Sequence, residues 1–241
     1  MARLSVVLPT YNERENIAKL IEAISQATSP PPEIIVVDDN SPDKTWQIVT
    51  DLQGKFPTLK PFRRRNERGL ASALAYGVSQ AGGDTIGWMD CDFSHPPSLI
   101  PEMLRALDDA DLVIASRYVR GGSQEYPFIR DLTSRAFNLY ASILLGFKVR
   151  DWTSGYALVK RKVLEKVRIE PVGQGYGEYF FAFVYGALGQ GFRVKEVPYR
   201  CVYNGEHESK TSTDFFKLLG WGASYGLSAL KLRLGRTRQT P

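Results

Sequence analysis

Cysteine is scarce in this sequence: Cys91 and Cys201 are the two among 241 residues. They are too few for a disulfide framework and are not spaced as metal ligands, so nothing indicates an oxidising compartment and a cytosolic setting is the default. Long apolar runs are missing too. A helix crossing a bilayer takes roughly 20 consecutive apolar residues, whereas the longest uncharged stretch near the end, residues 218–230, has 13 residues and includes three glycines. The opening MARLSVVLPTYNERE has no apolar region long enough for a signal peptide, so secretion by that route is not expected. Repeats of fixed period and proline- or serine-rich linkers are absent. With 43% hydrophobic and 24% charged residues, the composition also excludes disordered, collagenous and coiled-coil classes.

Neither sign of charge dominates. Lys and Arg total 31 against 26 Asp and Glu, and the net charge of +5 permits an anionic partner without naming it. Basic residues are scattered apart from Arg63–Arg65, with no basic stripe interleaved with aromatics, so nucleic acid is not an expected partner.

What is present is an alternation of strand and helix signals. Residues 4–8 form a short apolar run closed by Pro9, as in a strand buried on both faces. Asn12 then precedes ERENIAKLIEAI, where Ile17, Leu20, Ile21 and Ile24 recur at helical spacing behind acidic residues that suit a first turn. The same alternation predicts a strand ending at Asp38 and Asp39, a helix over 44–54, a strand over 59–62 and a helix over 70–81. It continues with a strand over 84–89, a helix over 97–107 and a strand over 112–115. This is the pattern of a mainly parallel α/β sheet with helices on both faces. Beyond Arg117 come a Gly-Gly loop, a helix over 131–146, the short SGYALV segment, a helix over 179–188, a strand over 193–198 and a closing helix over 212–234. The division expected is one domain over 1–211, with a nucleotide half (1–117) and an acceptor half (118–211), followed by an amphipathic helix and tail (212–241).

In such sheets ligands sit beyond the carboxyl ends of the strands. Acidic residues stand there: Glu13 after the first strand, Asp38 and Asp39 after the second, Asp90 and Asp92 after the fourth. Asp90-Cys91-Asp92 carries two carboxylates one residue apart, which in an extended segment face the same side. A hard cation such as Mg²⁺ takes one or two carboxylates and completes its shell with substrate phosphates. The bland alternative is a pair of loop-capping aspartates. The first βα turn, PTYNERE, lacks the GxGxxG of dinucleotide sites, and a phosphate-cradling P-loop is absent. An acidic mouth suits a nucleoside diphosphate sugar whose diphosphate arrives with a metal.

PTYNERENI, VVDDNSPDKT, ERGLASALAYG, MDCDFSHPP, ASRYVRGG, DWTSGYALVKR and the final ESK, in this order over nearly all of residues 4–210, resemble a family 2 glycosyltransferase of the GT-A fold, specifically the polyprenol or dolichol phosphate mannose synthases. The resemblance implies that Pro9, Tyr11, Glu13, Val37 and Asp39 line the donor nucleotide, with Asp90, Cys91 and Asp92 at the diphosphate, and Lys210 also on the donor. It implies a Mg²⁺ or Mn²⁺ ion at Asp90, Asp92 and Ser94, with Asp92 and Arg117 as the catalytic pair and Arg117 also touching the donor. Arg130 and Ser134 are implied contacts to the acceptor phosphate. Arg135 and the run Arg63–Arg65 read instead as solvated faces. Where the family pattern has an arginine, six residues before the terminal lysine, this chain has Asn204; Arg200 or Lys210 could supply that charge. His95 is open between an orienting group and a helix-cap neighbour, and the role of Glu178 is open.

The activity implied is inverting transfer of mannose from GDP-mannose to polyprenyl phosphate. A UDP-glucose or UDP-N-acetylhexosamine donor is the alternative, and a non-catalytic nucleotide-sugar or membrane-binding subunit the alternative of another class. Residues 136–147, uncharged between Arg135 and Lys148, and the aromatic and basic helix over 212–234 suit a membrane interface. The location expected is the cytoplasmic face of a membrane, with a separate membrane-anchoring subunit as a possible partner.

Overall fold

The computed structural model describes residues 3–146, 148–169, 177–202 and 225–234. Its first half is a run of βα units: β1 (Leu4–Thr10), α1 (Ile17–Gln26), β2 (Glu33–Asp38), α2 (Thr45–Leu52), β3 (Leu59–Arg63), α3 (Leu70–Gln80) and β4 (Thr85–Trp88). A 3-10 turn (Pro97–Leu99) leads into α4 (Ile100–Ala106) and β5 (Leu112–Ser116). Then follow β6 (Ser123–Gln124), α5 (Phe128–Leu145), β7 (Ala157–Lys160), α6 (Arg161–Leu164), α7 (Glu178–Gly189), β8 (Val194–Pro198) and β9 (Arg200–Cys201). Residues 225–234 are helical; the rest of the expected closing helix, 212–224, lies outside the described residues.

The strands assemble in the order β3-β2-β1-β4-β7-β5-β8. β1 pairs in parallel with β2 and β4, β2 with β3, and β5 with β8. β7 runs antiparallel to both β4 and β5. The SGYALV segment, which carries no distinct signal in sequence, is therefore the strand wedged into the middle of the sheet. Ala157, Leu158 and Val159 are buried there, as a central strand requires. β6 and β9 form a separate two-stranded parallel ribbon.

Continuous apolar runs in β1 and β2 follow from burial on both faces. Val6, Leu8, Ile34 and Val36 face one core, built with Ile17, Leu20, Ile21 and Ile24 of α1 and Ile100 and Met103 of α4. Their neighbours Val7, Ile35 and Val37 face the other, built with Leu74 of α3, Ala141 and Leu145 of α5, and Phe180, Phe181 and Phe183 of α7. Strand side chains alternate between faces, so one apolar run supplies both cores. Each fully buried aliphatic side chain contributes about 1.5–3 kcal/mol to this packing.

The first helix starts later than its sequence pattern suggests. Asn12 adopts a left-handed backbone (φ 57°) and is not the helix cap. Instead the Glu13 carbonyl accepts the N–H groups of Asn16 and Ile17 at 3.1 and 2.9 Å, so Glu13 and Glu15 precede the helix rather than occupying its first turn. The physical reason is the tie across to the next unit: Asn12 N–H donates to Ser41 Oγ and Glu13 N–H to Thr45 Oγ1, both at 3.0 Å.

α3 lies close against the sheet because Gly77 has no Cβ. A methyl there would collide with Val7 Cγ1 and sit 3.1 Å from Val37 Cγ2. Gly77→Ala is expected to lose about 1–3 kcal/mol in urea unfolding by overpacking, although alanine is by itself the better helix former by about 1 kcal/mol. A variant as stable as the parent would contradict this packing.

Candidate active site

The carboxyl ends of β1, β2, β4 and β5 open on one edge of the sheet, and each delivers charged residues to it. At the end of β2, Asp38 and Asp39 are both buried but differ in their partners. Asp38 accepts the Ser41 N–H at 2.8 Å and the Ser41 hydroxyl at 2.6 Å. Burial pushes its pKa above the ordinary carboxylate value; the Ser41 bonds oppose this, and the neighbouring carboxylates Asp43 and Asp39 add to it. Asp39 is neutralised instead. Its Oδ1 receives Arg64 Nε at 2.7 Å and Nη2 at 2.6 Å, and its Oδ2 receives the Gly69 N–H at 2.8 Å.

Arg64 thus departs from the expected solvated run. It is 8% exposed and also bonds Ser72 and the Gly69 carbonyl, whereas Arg65 is exposed and Arg63 stacks on Trp46 at 3.7 Å. The buried carboxylate of Asp39 draws the one guanidinium of the three that points inward. Tyr11 is half-buried beneath the Arg68 guanidinium at 4.0 Å. Glu13 is buried and its Oε2 accepts Asn16 Nδ2 at 3.1 Å. Val37 belongs to the core with its side chain fully covered, and its carbonyl accepts the Thr10 hydroxyl at 3.2 Å.

After β4 the chain bends rather than continuing extended, yet the alternation survives: Asp90 and Asp92 are exposed on either side of buried Cys91. The Cys91 thiol lies 3.6 Å from the Pro9 carbonyl, joining this turn to the end of β1. Asp92 Oδ1 accepts the Ser94 N–H at 3.0 Å, and Phe93 takes a left-handed backbone (φ 62°) to make the bend. Among the described residues no three His, Cys, Asp or Glu side chains cluster as a metal cage. Two exposed carboxylates on one turn are the donor set of a hard cation that brings phosphate oxygens of its own, so the residues present fit Mg²⁺ or Mn²⁺.

Arg117, at the end of β5, is buried and forks onto Asp151. Its Nε and Nη2 donate to the two carboxylate oxygens at 2.8 and 2.7 Å, its backbone N–H donates to Oδ2 at 2.9 Å, and Nη2 also reaches Thr153 Oγ1 at 2.8 Å. Burial alone would lower the guanidinium pKa, but Asp151 overrides it and holds the group well above its ordinary value. Among the described residues Nη1 makes no hydrogen bond. Asp151 is the residue that sequence reasoning missed; it stands in the DWTSG motif, but its partner is 34 positions away.

The remaining candidates lie along α5. Ser134 Oγ is 2.7 Å from Tyr118 Oη, and the Arg130 guanidinium sits 4.0 Å over the Tyr126 ring. Arg135 is exposed and pairs with Asp131 at 2.9 Å, the solvated (i, i+4) pair that its spacing suggests. Arg200 pairs with Glu125 on the β6–β9 ribbon. Glu178 is wholly buried at the start of α7, where the Ser228 hydroxyl reaches its Oε1 at 3.2 Å. Lys210, Asn204, Glu206 and Glu208 lie outside the described residues.

A sheet of this order, with acidic strand ends and a DxD turn after its fourth strand, is the GT-A fold of nucleotide-sugar glycosyltransferases. Glucosyl-3-phosphoglycerate synthase from Mycobacterium tuberculosis, solved with Mn²⁺, uridine diphosphate and glucosyl-3-phosphoglycerate, superposes with a TM-score of 0.68. The superposition covers 97% of this chain and 80% of that one, at 22% identity. The same enzyme with Mg²⁺ and uridine diphosphate gives 0.69 at 20% identity. Residues 5–168 match the family Glycosyl transferase family 2, and the chain belongs to that family. Among its relatives, the dolichol-phosphate mannosyltransferase of Pyrococcus furiosus is 39% identical over 86% of this chain, which spans 59% of that enzyme's length. The polyprenol monophosphomannose synthase of Mycolicibacterium smegmatis is 35% identical, covering 91% of this chain and 87% of the relative. The undecaprenyl-phosphate mannosyltransferase of Micrococcus luteus is 32% identical, covering 97% and 99%.

Removing one partner of a buried ion pair strands the other charge. Asp151→Asn is therefore expected to cost about 3–5 kcal/mol in urea unfolding. The double replacement Arg117→Met, Asp151→Asn should recover part of that loss, because the asparagine oxygen still accepts a backbone N–H while no charge is stranded; a single variant with unchanged stability would contradict the pairing.

Proposed function

We propose that the protein transfers mannose from GDP-mannose to a polyprenyl phosphate, inverting the anomeric centre, at the cytoplasmic surface of a membrane. The observation that carries this reading is the exposed Asp90–Asp92 turn at the carboxyl end of β4, in a chain aligned over most of its length with polyprenyl-phosphate mannosyltransferases. In this reading Asp90 and Asp92, with Ser94 beside them, hold Mg²⁺ or Mn²⁺, and the metal neutralises charge on the departing diphosphate. Pro9, Tyr11, Glu13 and Asp39 line the nucleotide, and Lys210 reaches the donor. Arg117 extends its remaining guanidinium edge, Nη1, toward phosphate oxygens, while Arg130 and Ser134 receive the acceptor phosphate. Guanidinium groups suit this task because their fixed donors pair with phosphate oxygens.

The chemistry asks little of a base. A phosphate monoester has its second pKa near 6, so at neutral pH the acceptor is already an oxyanion. What the protein must supply is approach of two anions and alignment of the acceptor oxygen behind the anomeric carbon. A direct displacement then gives the β-linked product from an α-linked donor.

The acceptor's lipid tail requires a surface to match it. Along α5, Phe128, Leu132, Leu139 and Ile143 are exposed in one stripe, beside Ile129 and Tyr140. Leu227, Leu230 and Leu234 of the 225–234 helix are exposed too, and that helix is joined to α5 where Tyr140 Oη meets the Gly226 carbonyl at 3.3 Å. Exposed Arg135, Lys148, Lys231 and Arg233 accompany these apolar faces. No described helix is long and apolar enough to cross a membrane, and an apolar face with basic neighbours suits one that lies on it.

Donor turnover tests the activity. Protein with Mg²⁺ or Mn²⁺ and a short polyprenyl phosphate should release nucleotide from GDP-mannose, but not from UDP-glucose or UDP-N-acetylglucosamine. Asp92→Asn should lower the rate by about 100-fold or more. Release from a UDP sugar would overturn the donor, an α-linked product by anomeric NMR the stereochemistry, and no release from any donor the enzymatic reading.

Vesicle binding tests the surface. Leu139→Glu with Ile143→Glu should weaken binding to vesicles of phosphatidylglycerol and phosphatidylcholine by at least about tenfold, since each apolar side chain withdrawn from lipid is worth about 1.5–3 kcal/mol. The melting temperature should hold, because both side chains are already exposed. Undiminished binding would contradict a membrane role for α5.

A further inference from the structure

Exposing two carboxylates is not enough to bind a cation; the backbone that carries them must also be held. Asp90, Cys91 and Asp92 lie on a bend with a left-handed residue, Phe93, directly after them. The Ser94 N–H bond to Asp92 holds the far side of this bend, and the near side, at Asp90, needs a partner of its own. The structural answer is His95, which is buried, with 3% of its surface exposed. Its Nδ1 accepts the backbone N–H of Asp90 at 3.0 Å, closing the turn from inside. A ring nitrogen that accepts a backbone N–H does so through its lone pair, so Nδ1 serves here as the acceptor.

The ring is itself anchored. It stacks on Tyr156 with centroids 5.0 Å apart and planes 22° from parallel, and meets Tyr199 edge-on at 5.9 Å. Tyr156 Oη donates to the Pro96 carbonyl at 3.2 Å, gripping the next residue of the same loop. Tyr156 immediately precedes β7 and Tyr199 lies between β8 and β9, so both sides of the ring rest on the part of the chain after residue 117.

We propose that His95 is a positioning residue for the cation and diphosphate site. Through the Asp90 N–H it sets the direction in which the Asp90 and Asp92 carboxylates face, and through its stack it refers that direction to the acceptor side of the sheet. The inference rests on the reading of Asp90 and Asp92 as the metal-binding pair. A group one step removed from a metal ligand commonly carries 10–100-fold of the metal affinity. His95→Phe keeps an aromatic ring against Tyr156 and Tyr199 but removes the acceptor; His95→Asn restores an acceptor oxygen near the place of Nδ1.

The experiment has two arms. In metal-free protein labelled with ¹⁵N, a coupling across the hydrogen bond should link the Asp90 amide to His95 Nδ1; an Asp90 amide without that bond would overturn the proposal. Calorimetric titration of GDP, with UDP in parallel, over a series of Mn²⁺ concentrations should then show His95→Phe weakened in Mn²⁺-dependent binding by about tenfold or more. His95→Asn should return to within about threefold of the parent. His95→Phe binding as tightly as the parent, or His95→Asn binding no better than His95→Phe, would overturn the role of His95 while leaving the metal site in place. A parent protein that binds neither nucleotide with Mn²⁺ would overturn the metal site and the role built on it, whatever the coupling shows. Should His95→Phe fail to fold, His95→Asn and the ¹⁵N spectrum decide: loss of Mn²⁺-dependent binding in His95→Asn equal to that expected of the phenylalanine overturns the proposal.

Discussion

The buried fork between Arg117 and Asp151 is the interaction on which the site depends. Asp151 takes three N–H donors from one residue, the backbone and two side-chain nitrogens of Arg117, and so fixes the end of β5. The turn that carries Asp151 is fixed in return. Its backbone N–H and that of Arg150 donate to Glu196 of β8 at 2.9 Å, Trp152 N–H donates to Asn138 of α5 at 2.7 Å, and Thr153 Oγ1 receives Asn138 Nδ2 at 3.0 Å. Strands β5 and β8, helix α5 and the approach to β7 therefore share one polar network inside the protein. A buried ion pair returns its desolvation cost only when its remaining donors and acceptors are satisfied, and here backbone amides and a threonine hydroxyl satisfy all but Arg117 Nη1.

Charge at the carboxyl ends of β2 and β4 is handled differently. Asp39 is matched by Arg64, while Asp38 is held by a serine and has a raised pKa, with Asp43 and Asp39 as acidic neighbours. Beyond them the Asp90 and Asp92 side chains face solvent. An edge with so many carboxylates repels a diphosphate unless a cation comes with it, because two like charges a few ångströms apart are costly wherever water is partly excluded. The acidic rim and the proposed metal are thus two sides of one electrostatic argument: Arg64 is already paired with Asp39, and Arg117 lies at the end of β5, tied to Asp151.

Helix α5 serves both parts. Its inner face places Asn138, Ala141, Ser142 and Leu145 in the interior, where Asn138 joins the Arg117–Asp151 network. Its outer face leaves Phe128, Leu132, Leu139 and Ile143 exposed. A helix is stiff along its axis, so the exposed apolar face and the Arg117–Asp151 network are held in fixed relation. The 225–234 helix is fastened beside it, with Tyr225 packed on Phe137 and Phe181 and its hydroxyl receiving the Gly177 N–H at 2.8 Å.

Much of this was legible in the residues. Apolar runs bounded by Pro9 and by Asp38 announce buried parallel strands, and helical spacing at Ile17, Leu20, Ile21 and Ile24 announces the helix that covers them. Both are local periodicities, written in neighbours a few positions apart. The acidic strand ends were equally readable, because a parallel sheet sends its ligands to one edge. What the tertiary structure alone decided is which distant groups meet. It inserted β7 antiparallel between β4 and β5, gave Asp39 to Arg64 across 25 positions and Asp151 to Arg117 across 34, and turned His95 inward onto Tyr156 and Tyr199. The physical reason is that a periodicity says which way a side chain faces, whereas the partner of a buried charge or an unpaired N–H is set by whatever else the folded chain brings within 3 Å of it.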